Sequence, residues 1–351
     1  MSDEYMVSRC HCGACKLKLS NVTKKDVCFD CHCQSCRRMS CSTFVSYLSL
    51  TNDQVQVVNN DQEGEDAPLG QFRETCGYHG TQEVDRVFCG KCYSSLATRS
   101  TNASMDDGGA SSEQRWFINM GTLEDDTIPA DCSEMWKATR PSVCSDEPAP
   151  WYPAEARYDV DGGALDKSSA PTVLTGGCSC GKFRFKMTPS PGCSVLQCYC
   201  QMCRRFSGAP VLSWTYGALD EFEWICRDDG EEKKEEPVLF RSSPFAQRHM
   251  CPTCACNLTV VYDEEENVIW PAVGCFDDEC FLQGKEEPTS TDDADTTTTK
   301  LNNNKGRLDA HLKDVSYVYC QTVPVWYRPP SDGLPMWDAL PGGQDITKPS
   351  G

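Results

Sequence analysis

The chain has 351 residues, with 52 acidic against 33 basic side chains and a formal charge of −19. That balance excludes non-specific nucleic-acid binding, which needs Lys and Arg to displace phosphate counterions, and docking on anionic lipid. No apolar run approaches the ~18 residues of a membrane span.

Twenty-six cysteines then need a reason. Met1 to Arg9 lacks the basic-then-apolar signature of a secretory leader. A cytoplasmic location is therefore expected, where thiols stay reduced and disulfides are not freely used.

From the N-terminus, Cys10-x-Cys12 comes first, and Cys15–Leu19 alternates as a half-buried strand does. Cys31-x-Cys33-x-x-Cys36 follows, with a short helix expected behind it and a strand-like run at Phe44–Leu48. Polar stretches at 59–68 and 101–114 read as loops on either side of Cys89-x-x-Cys92. Beyond a Gly- and Ser-containing boundary at 160–171, the series recurs. Cys178-x-Cys180 precedes a strand at Lys182–Lys186. Cys198-x-Cys200-x-x-Cys203 precedes a strand at Val211–Trp214, and Cys251-x-x-Cys254 follows an acidic loop at 228–236. A Thr- and Asn-rich stretch at 286–305 reads as another loop.

One pattern is thus written twice, about 168 residues apart. Cys33-Gln34-Ser35-Cys36-Arg37-Arg38 matches Cys200-Gln201-Met202-Cys203-Arg204-Arg205. Arg86-Val87-Phe88-Cys89 matches Arg248-His249-Met250-Cys251, and Met120-Gly121 matches Val273-Gly274. The expected organisation is a domain at 1–160, a linker at 161–171, a second domain at 172–340 and a tail at 341–351.

Seven cysteines recur at matching positions and read as metal ligands. The others face different residues in the other copy. Cys15 faces Phe183, Cys28 faces Val195, Cys41 faces Gly208, Cys76 faces Pro244 and Cys256 faces Ser94. These read as small buried apolar residues or surface thiols. No histidine position is shared, which argues against a common His ligand. His32, between two ligands, is a candidate to tune its centre.

Two close thiolate pairs make the tetrahedral sulfur cage that zinc prefers. Four cysteines close a structural site, whereas three leave a position for water or substrate. Seven per copy divides into four and three. The first copy would use Cys10, Cys12, Cys89 and Cys92, then Cys31, Cys33 and Cys36. The second would use Cys178, Cys180, Cys251 and Cys254, then Cys198, Cys200 and Cys203. The expected cofactor is zinc, two ions per domain and four per chain. Spacing alone leaves open that Cys-x-Cys joins the three-cysteine cluster, or that the metal is an iron–sulfur cluster.

The second copy reads Gly177-Cys178-Ser179-Cys180-Gly181, Cys198-Tyr199-Cys200-Gln201-Met202-Cys203-Arg204, Gly208 and Phe240-Arg241-Ser242-Ser243. The first reads Arg9-Cys10-His11-Cys12-Gly13. This pattern resembles the glutathione-dependent formaldehyde-activating enzymes, whose domain centromere protein V shares. The resemblance implies a mainly β fold of two tandem, zinc-stabilised, twisted antiparallel sandwiches of the β-tent type. It implies condensation of formaldehyde with glutathione, formally a carbon–sulfur lyase in reverse. The catalytic cysteines would be Cys198, Cys200 and Cys203, with Cys31, Cys33 and Cys36 in the first copy. Arg204, Arg205 and Arg241 would pair with glutathione carboxylates.

The expected partner is thus a small-molecule thiol. The competing readings are a glutathione carrier, a non-catalytic zinc-stabilised interaction module, and a metal store. Departures from the pattern weigh more on the first copy. Cys41 stands where the second has Gly208, and Arg73-Glu74-Thr75 replaces Arg241-Ser242-Ser243. Tyr93 and Ala255 replace the glycine after the last ligand, where a positive φ would favour glycine. The second copy is therefore expected to keep more function.

Overall fold

The structure is a computed structural model and describes residues 5–59, 69–76, 83–100, 114–138, 141–143, 173–190, 193–225, 235–277, 280, 312–331 and 333–340. Apart from an end residue or two, the expected loops at 59–68, 101–114, 228–236 and 286–305 lie outside these ranges, as do the linker at 161–171 and the tail.

The first copy contributes β1 (Tyr5–Arg9), β2 (Cys15–Ser20), β3 (Cys28–Cys31), α1 (Gln34–Ser40), β4 (Val45–Thr51), β5 (Val55–Asn59), β6 (Leu69–Thr75), β7 (Glu83–Cys89), β8 (Ser95–Ser100), β9 (Arg115–Asn119), α2 (Ala130–Ala138) and β10 (Ser142–Val143). The second contributes β11 (Leu174–Gly177), β12 (Arg184–Met187), β13 (Cys193–Cys198), α3 (Gln201–Ser207), β14 (Leu212–Trp214), β15 (Gly217–Ala218), β16 (Phe222–Ile225), β17 (Val238–Ser243), β18 (Ala246–Met250), β19 (Asn257–Tyr262), β20 (Val268–Pro271) and β21 (Leu312–Val318). The fold is mainly β, as expected. In β2 the two-residue period is plain: Cys15, Leu17 and Leu19 are buried while Lys16 and Lys18 face outward.

Each copy has a small antiparallel sheet, β1-β2-β5 in the first and β11-β12-β16 in the second. The larger sheet runs β10-β3-β4-β9-β8-β7-β6 in the first copy. The second copy keeps the corresponding order but splits it into β21-β13-β14 and β15-β20-β19-β18-β17, with a bridge between Trp214 and Ala272 linking the two. Among the described strands two pairs are parallel, β10 with β3 and β21 with β13.

The copies share a core. One buried cluster holds Met6, Leu17, Phe44 and Trp136 of the first copy with Tyr199, Phe206, Tyr317, Trp326 and Tyr327 of the second. Contacts across the boundary are reciprocal, as in an isologous dimer. Arg38 pairs with Asp277 at 2.6 Å, and the equivalent Arg205 pairs with Glu124 at 2.8 Å. His11 bonds the Ser242 carbonyl at 3.0 Å, and the equivalent Ser179 donates to Glu74. Gly121 donates its N–H to the Gly208 carbonyl at 2.9 Å, and a Cβ there would lie 2.2 Å from the Ala209 carbonyl oxygen. Gly274 fits as tightly against the backbone of Cys41 and Ser42. Among the described residues no helix is long and apolar enough to cross a membrane.

Candidate metal centres

The turn between β1 and β2 carries Cys10 and Cys12. The turn between β7 and β8 faces it and carries Cys92, with Cys89 at the end of β7. The four sulfurs lie within 4.8 Å of one another, with Cys10–Cys12 at 3.6 Å and Cys12–Cys89 at 3.8 Å. In the second copy Cys178, Cys180, Cys251 and Cys254 form the same group, with Cys178–Cys180 at 3.4 Å and Cys180–Cys251 at 3.6 Å. Four sulfurs placed ~2.3 Å from a central ion have edges of about 3.8 Å, so this donor set fits tetrahedral zinc. Backbone amides support the sulfurs. Cys15 N–H donates to Cys10 Sγ at 3.2 Å, and Phe183 N–H to Cys178 Sγ at 3.3 Å. Tyr93 and Ala255 adopt φ of 61° and 60°, and each N–H reaches back to the carbonyl of Cys89 or Cys251 at 2.8 Å. The positive-φ turn survives without glycine, at a cost of about 1–2 kcal/mol per residue.

The other cysteines gather where β3 meets α1 and where β13 meets α3. Cys31, Cys33 and Cys36 form one group, and Cys198, Cys200 and Cys203 the other. The pairing of Cys-x-Cys with the distant Cys-x-x-Cys is therefore the one the fold adopts. The short helices place their first turn at the cluster, with Cys33 and Cys200 as N-caps. Neighbouring sulfurs then share protons unequally. Hydrogen bonds from Cys198 and Cys200, with the positive charge of Arg248, hold Cys203 far below the usual thiol range. The contact from Cys200 leads in holding Cys198 far above it. In the first copy Cys31 leads both in lowering Cys33 and in raising Cys36.

Two arginines stand directly behind these clusters, and sequence reasoning did not assign them to the site. Arg86 is 1 % exposed, and its guanidinium is fully engaged. Nε donates to Glu74 at 2.5 Å, Nη1 to Tyr47 at 2.9 Å and Thr98 at 2.7 Å, and Nη2 to Ser35 at 2.9 Å and Cys36 Sγ at 3.6 Å. Its counterpart Arg248, 2 % exposed, donates Nη2 to Cys203 Sγ at 3.5 Å and lies over the rings of Phe206 and Trp214. Its Nε and Nη1 have no hydrogen-bond partner among the described residues. The available signal was an Arg three residues before Cys-x-x-Cys in both copies.

The arginines expected to hold carboxylates are placed elsewhere. Arg204 donates to the Tyr199 carbonyl and to Asp125, and Arg205 to Glu124, both across the boundary between copies. Arg241 lies at the surface, paired with Asp263 at 2.7 Å. Cys76, expected to be a small buried apolar residue or a surface thiol, is buried and in contact with the first cluster. Cys76 lies 3.9 Å from Cys33 Sγ and 3.8 Å from Cys36 Sγ. Phe29, Tyr47 and Phe117 wall the crevice beside it. His32 stacks on Phe44 with ring centroids 5.2 Å apart, and burial lowers its pKa.

None of the curated proteins compared matches this chain. Among solved structures, a crystal structure of a Rhodobacter sphaeroides protein is similar at 17% identity, covering 32% of this chain and 91% of that one, with a TM-score of 0.24. A family model described as glutathione-dependent formaldehyde-activating enzyme matches residues 5–139 and again 173–291. The two matched segments each enclose one set of seven recurring cysteines and together span well over half of the chain, so this protein belongs to the glutathione-dependent formaldehyde-activating enzyme family and carries its domain twice.

Proposed function

We propose that this protein binds glutathione, or its formaldehyde adduct, at a zinc held by Cys198, Cys200 and Cys203, with the four-cysteine groups serving the fold. The observation that carries this reading is the state of Arg248. A buried guanidinium beside a three-sulfur cluster, with two donors unpaired among the described residues, is costly unless a ligand completes it. An incoming carboxylate or aldehyde oxygen would satisfy those donors, in the charge-assisted geometry that Arg favours. Zinc bound at such a centre supplies Lewis-acid polarisation of an oxygen and acidification of a thiol. In the reaction the S–H bond of glutathione breaks as its sulfur bonds the formaldehyde carbon, the C=O π bond opens, and the thiol's proton ends on the former carbonyl oxygen. Arg248 would orient the adding pair, and Phe206 and Trp214 at its face would exclude water. Family membership supports the substrate class, and the reducing conditions that free thiols need suit a cytoplasmic setting.

Calorimetric titration of reduced glutathione into zinc-loaded protein tests the reading. Saturable binding is expected, abolished by the combined Cys198→Ser, Cys200→Ser and Cys203→Ser change in a protein that stays folded. Cys203→Ser should weaken binding more than Cys36→Ser. Absence of binding, with no acceleration of formaldehyde and glutathione consumption, would instead leave zinc serving only the fold of an interaction module.

A further inference from the structure

We propose that Cys76 is a fourth metal ligand of the first copy, so that the chain carries three closed four-sulfur centres and one open three-sulfur centre. The distances argue it first. Cys76 Sγ stands 3.9 Å from Cys33 Sγ and 3.8 Å from Cys36 Sγ, while Cys31 and Cys33 are 3.6 Å apart. Cys76 thus stands at the edge distance of a sulfur tetrahedron about a zinc-sized ion, about 3.8 Å, from two of the three cluster sulfurs. Cys31, Cys33 and Cys36 already lie within 4.8 Å of one another, and an ion that draws Cys76 toward Cys31 would complete the fourth corner. The contacts run from 3.6 to 3.9 Å, against 3.4–3.8 Å for those within the two four-cysteine groups. A disulfide would need about 2.05 Å, so Cys76 contacts Cys33 and Cys36 without being bonded to either. Cys76 is 2 % exposed, and it reaches the cluster from a different element than the other three.

Hairpin length explains why only the first copy has this sulfur. In the second copy β17 turns straight into β18, with Ser243 opposite Ala246 and only Pro244 and Phe245 between them. Pro244, at the position equivalent to Cys76, is exposed. In the first copy the last pair is Thr75 with Glu83, so residues 76–82 connect the strands. That extra length lets Cys76 drop from the end of β6 onto the cluster. The environment agrees. Every nitrogen of Arg86 behind the first cluster already has a partner, whereas among the described residues two donors of Arg248 behind the second have none. A complete polar shell suits a closed structural centre, and an incomplete one suits a centre that takes a ligand. The first centre would then be unable to bind a substrate thiol without losing Cys76. That consequence rests on the glutathione reading given above, whereas the ligand assignment does not.

Cadmium-113 NMR of the full-length chain loaded with cadmium separates the two, because each centre gives its own resonance and the shift reports how many sulfurs surround the ion. Three resonances in the four-sulfur range and one in the three-sulfur range are expected. Cys76→Ser should move one resonance, and only one, from the first range to the second. Should that variant fail to fold, the count in the unmodified protein still decides. Two four-sulfur and two three-sulfur resonances would overturn the proposal, as would a disulfide between Cys76 and Cys33 or Cys36 in the metal-loaded protein. Failure of glutathione binding would leave the count unchanged, so the ligand assignment and the functional reading fail separately.

Discussion

Arg86 and Arg248 occupy matching positions and have opposite surroundings. Arg86 is one node of a buried network with Glu74, Tyr47, Thr98 and Ser35, so removing it strands several polar groups. Among the described residues Arg248 has one thiol and two aromatic faces, so removing it strands little. Arg86→Met is therefore expected to lower the unfolding free energy by about 3–5 kcal/mol, the range for breaking a buried charge pair. Arg248→Met is expected to retain its metal and near-normal stability, and to lose tenfold or more in glutathione affinity, about 1.5–3 kcal/mol for a charge-assisted bond. Denaturant unfolding and calorimetric titration on both variants read the contrast. Equal glutathione binding by Arg248→Met and the unmodified chain would remove that residue from the site. The two arginines were visible in the sequence as a repeated letter before Cys-x-x-Cys. Their different roles were not, because partners such as Glu74 and Thr98 come from neighbouring strands.

The helices α1 and α3 are seven residues long, and each does two jobs. The first turn presents cysteines, and the end delivers a left-handed residue to the boundary between copies. Gly208 fills that position with φ of 73°, and Cys41 fills it with φ of 57°. Both press against a 3-10 turn of the other copy, at Gly121 and Gly274 respectively. Backbone surrounds the missing Cβ at both glycines, so a methyl group cannot be accommodated by rotating a side chain. Gly121→Ala is expected to destabilise the protein by about 1–3 kcal/mol, the usual cost of overpacking. A change within 0.5 kcal/mol in chemical denaturation would show that the two copies can slide apart at no cost. Strand alternation at Cys15–Leu19 and the short helices behind the three-cysteine clusters were legible in the sequence. The nine-residue helix α2 was not anticipated, since its few buried positions, Cys132, Ser133 and Trp136, make a weak apolar stripe.

At the scale of the whole molecule the two copies behave as a fused pseudo-dimer. Arg38 with Asp277 and Arg205 with Glu124 are exchanged contacts, and aromatic residues near the C-terminus pack on the first copy, with the Phe44 and Tyr327 rings 6.2 Å apart. A shared core couples the metal centres through folding. Removal of metal by a strong chelator is expected to unfold both copies in one cooperative transition, followed by circular dichroism alongside metal release. Two well-separated transitions would mean that the boundary is weak. The pH dependence has a definite sign. Cys36 and Cys198 hold their protons well above the ordinary thiol range, because neighbouring sulfurs crowd them and burial adds to it. Loading a metal must expel those protons, so affinity falls as pH falls and metal loss should set in on acidification. Chelator competition at several pH values checks this, and a pH-independent affinity would contradict thiolate ligation.

The twice-written spacing of fourteen cysteines was sufficient, by itself, to set the repeat. The mainly β class followed from the resemblance that spacing carries, and the division into four- and three-cysteine groups was decided by the fold, which brings distant turns together. Ligand spacing is a local property, because two thiols one or two residues apart can reach a common centre wherever the chain goes. The partners of each cluster are a property of tertiary structure. Arg204 and Arg205 follow a ligand directly and look free in the sequence, yet the second copy turns them onto Asp125 and Glu124 of the first. Cys76 lacks a counterpart and lies 40 residues from Cys36, yet a longer hairpin brings it within 3.8 Å. A contact between distant segments depends on hairpin length, sheet order and the packing of two copies, and none of these is written in the residues that finally touch.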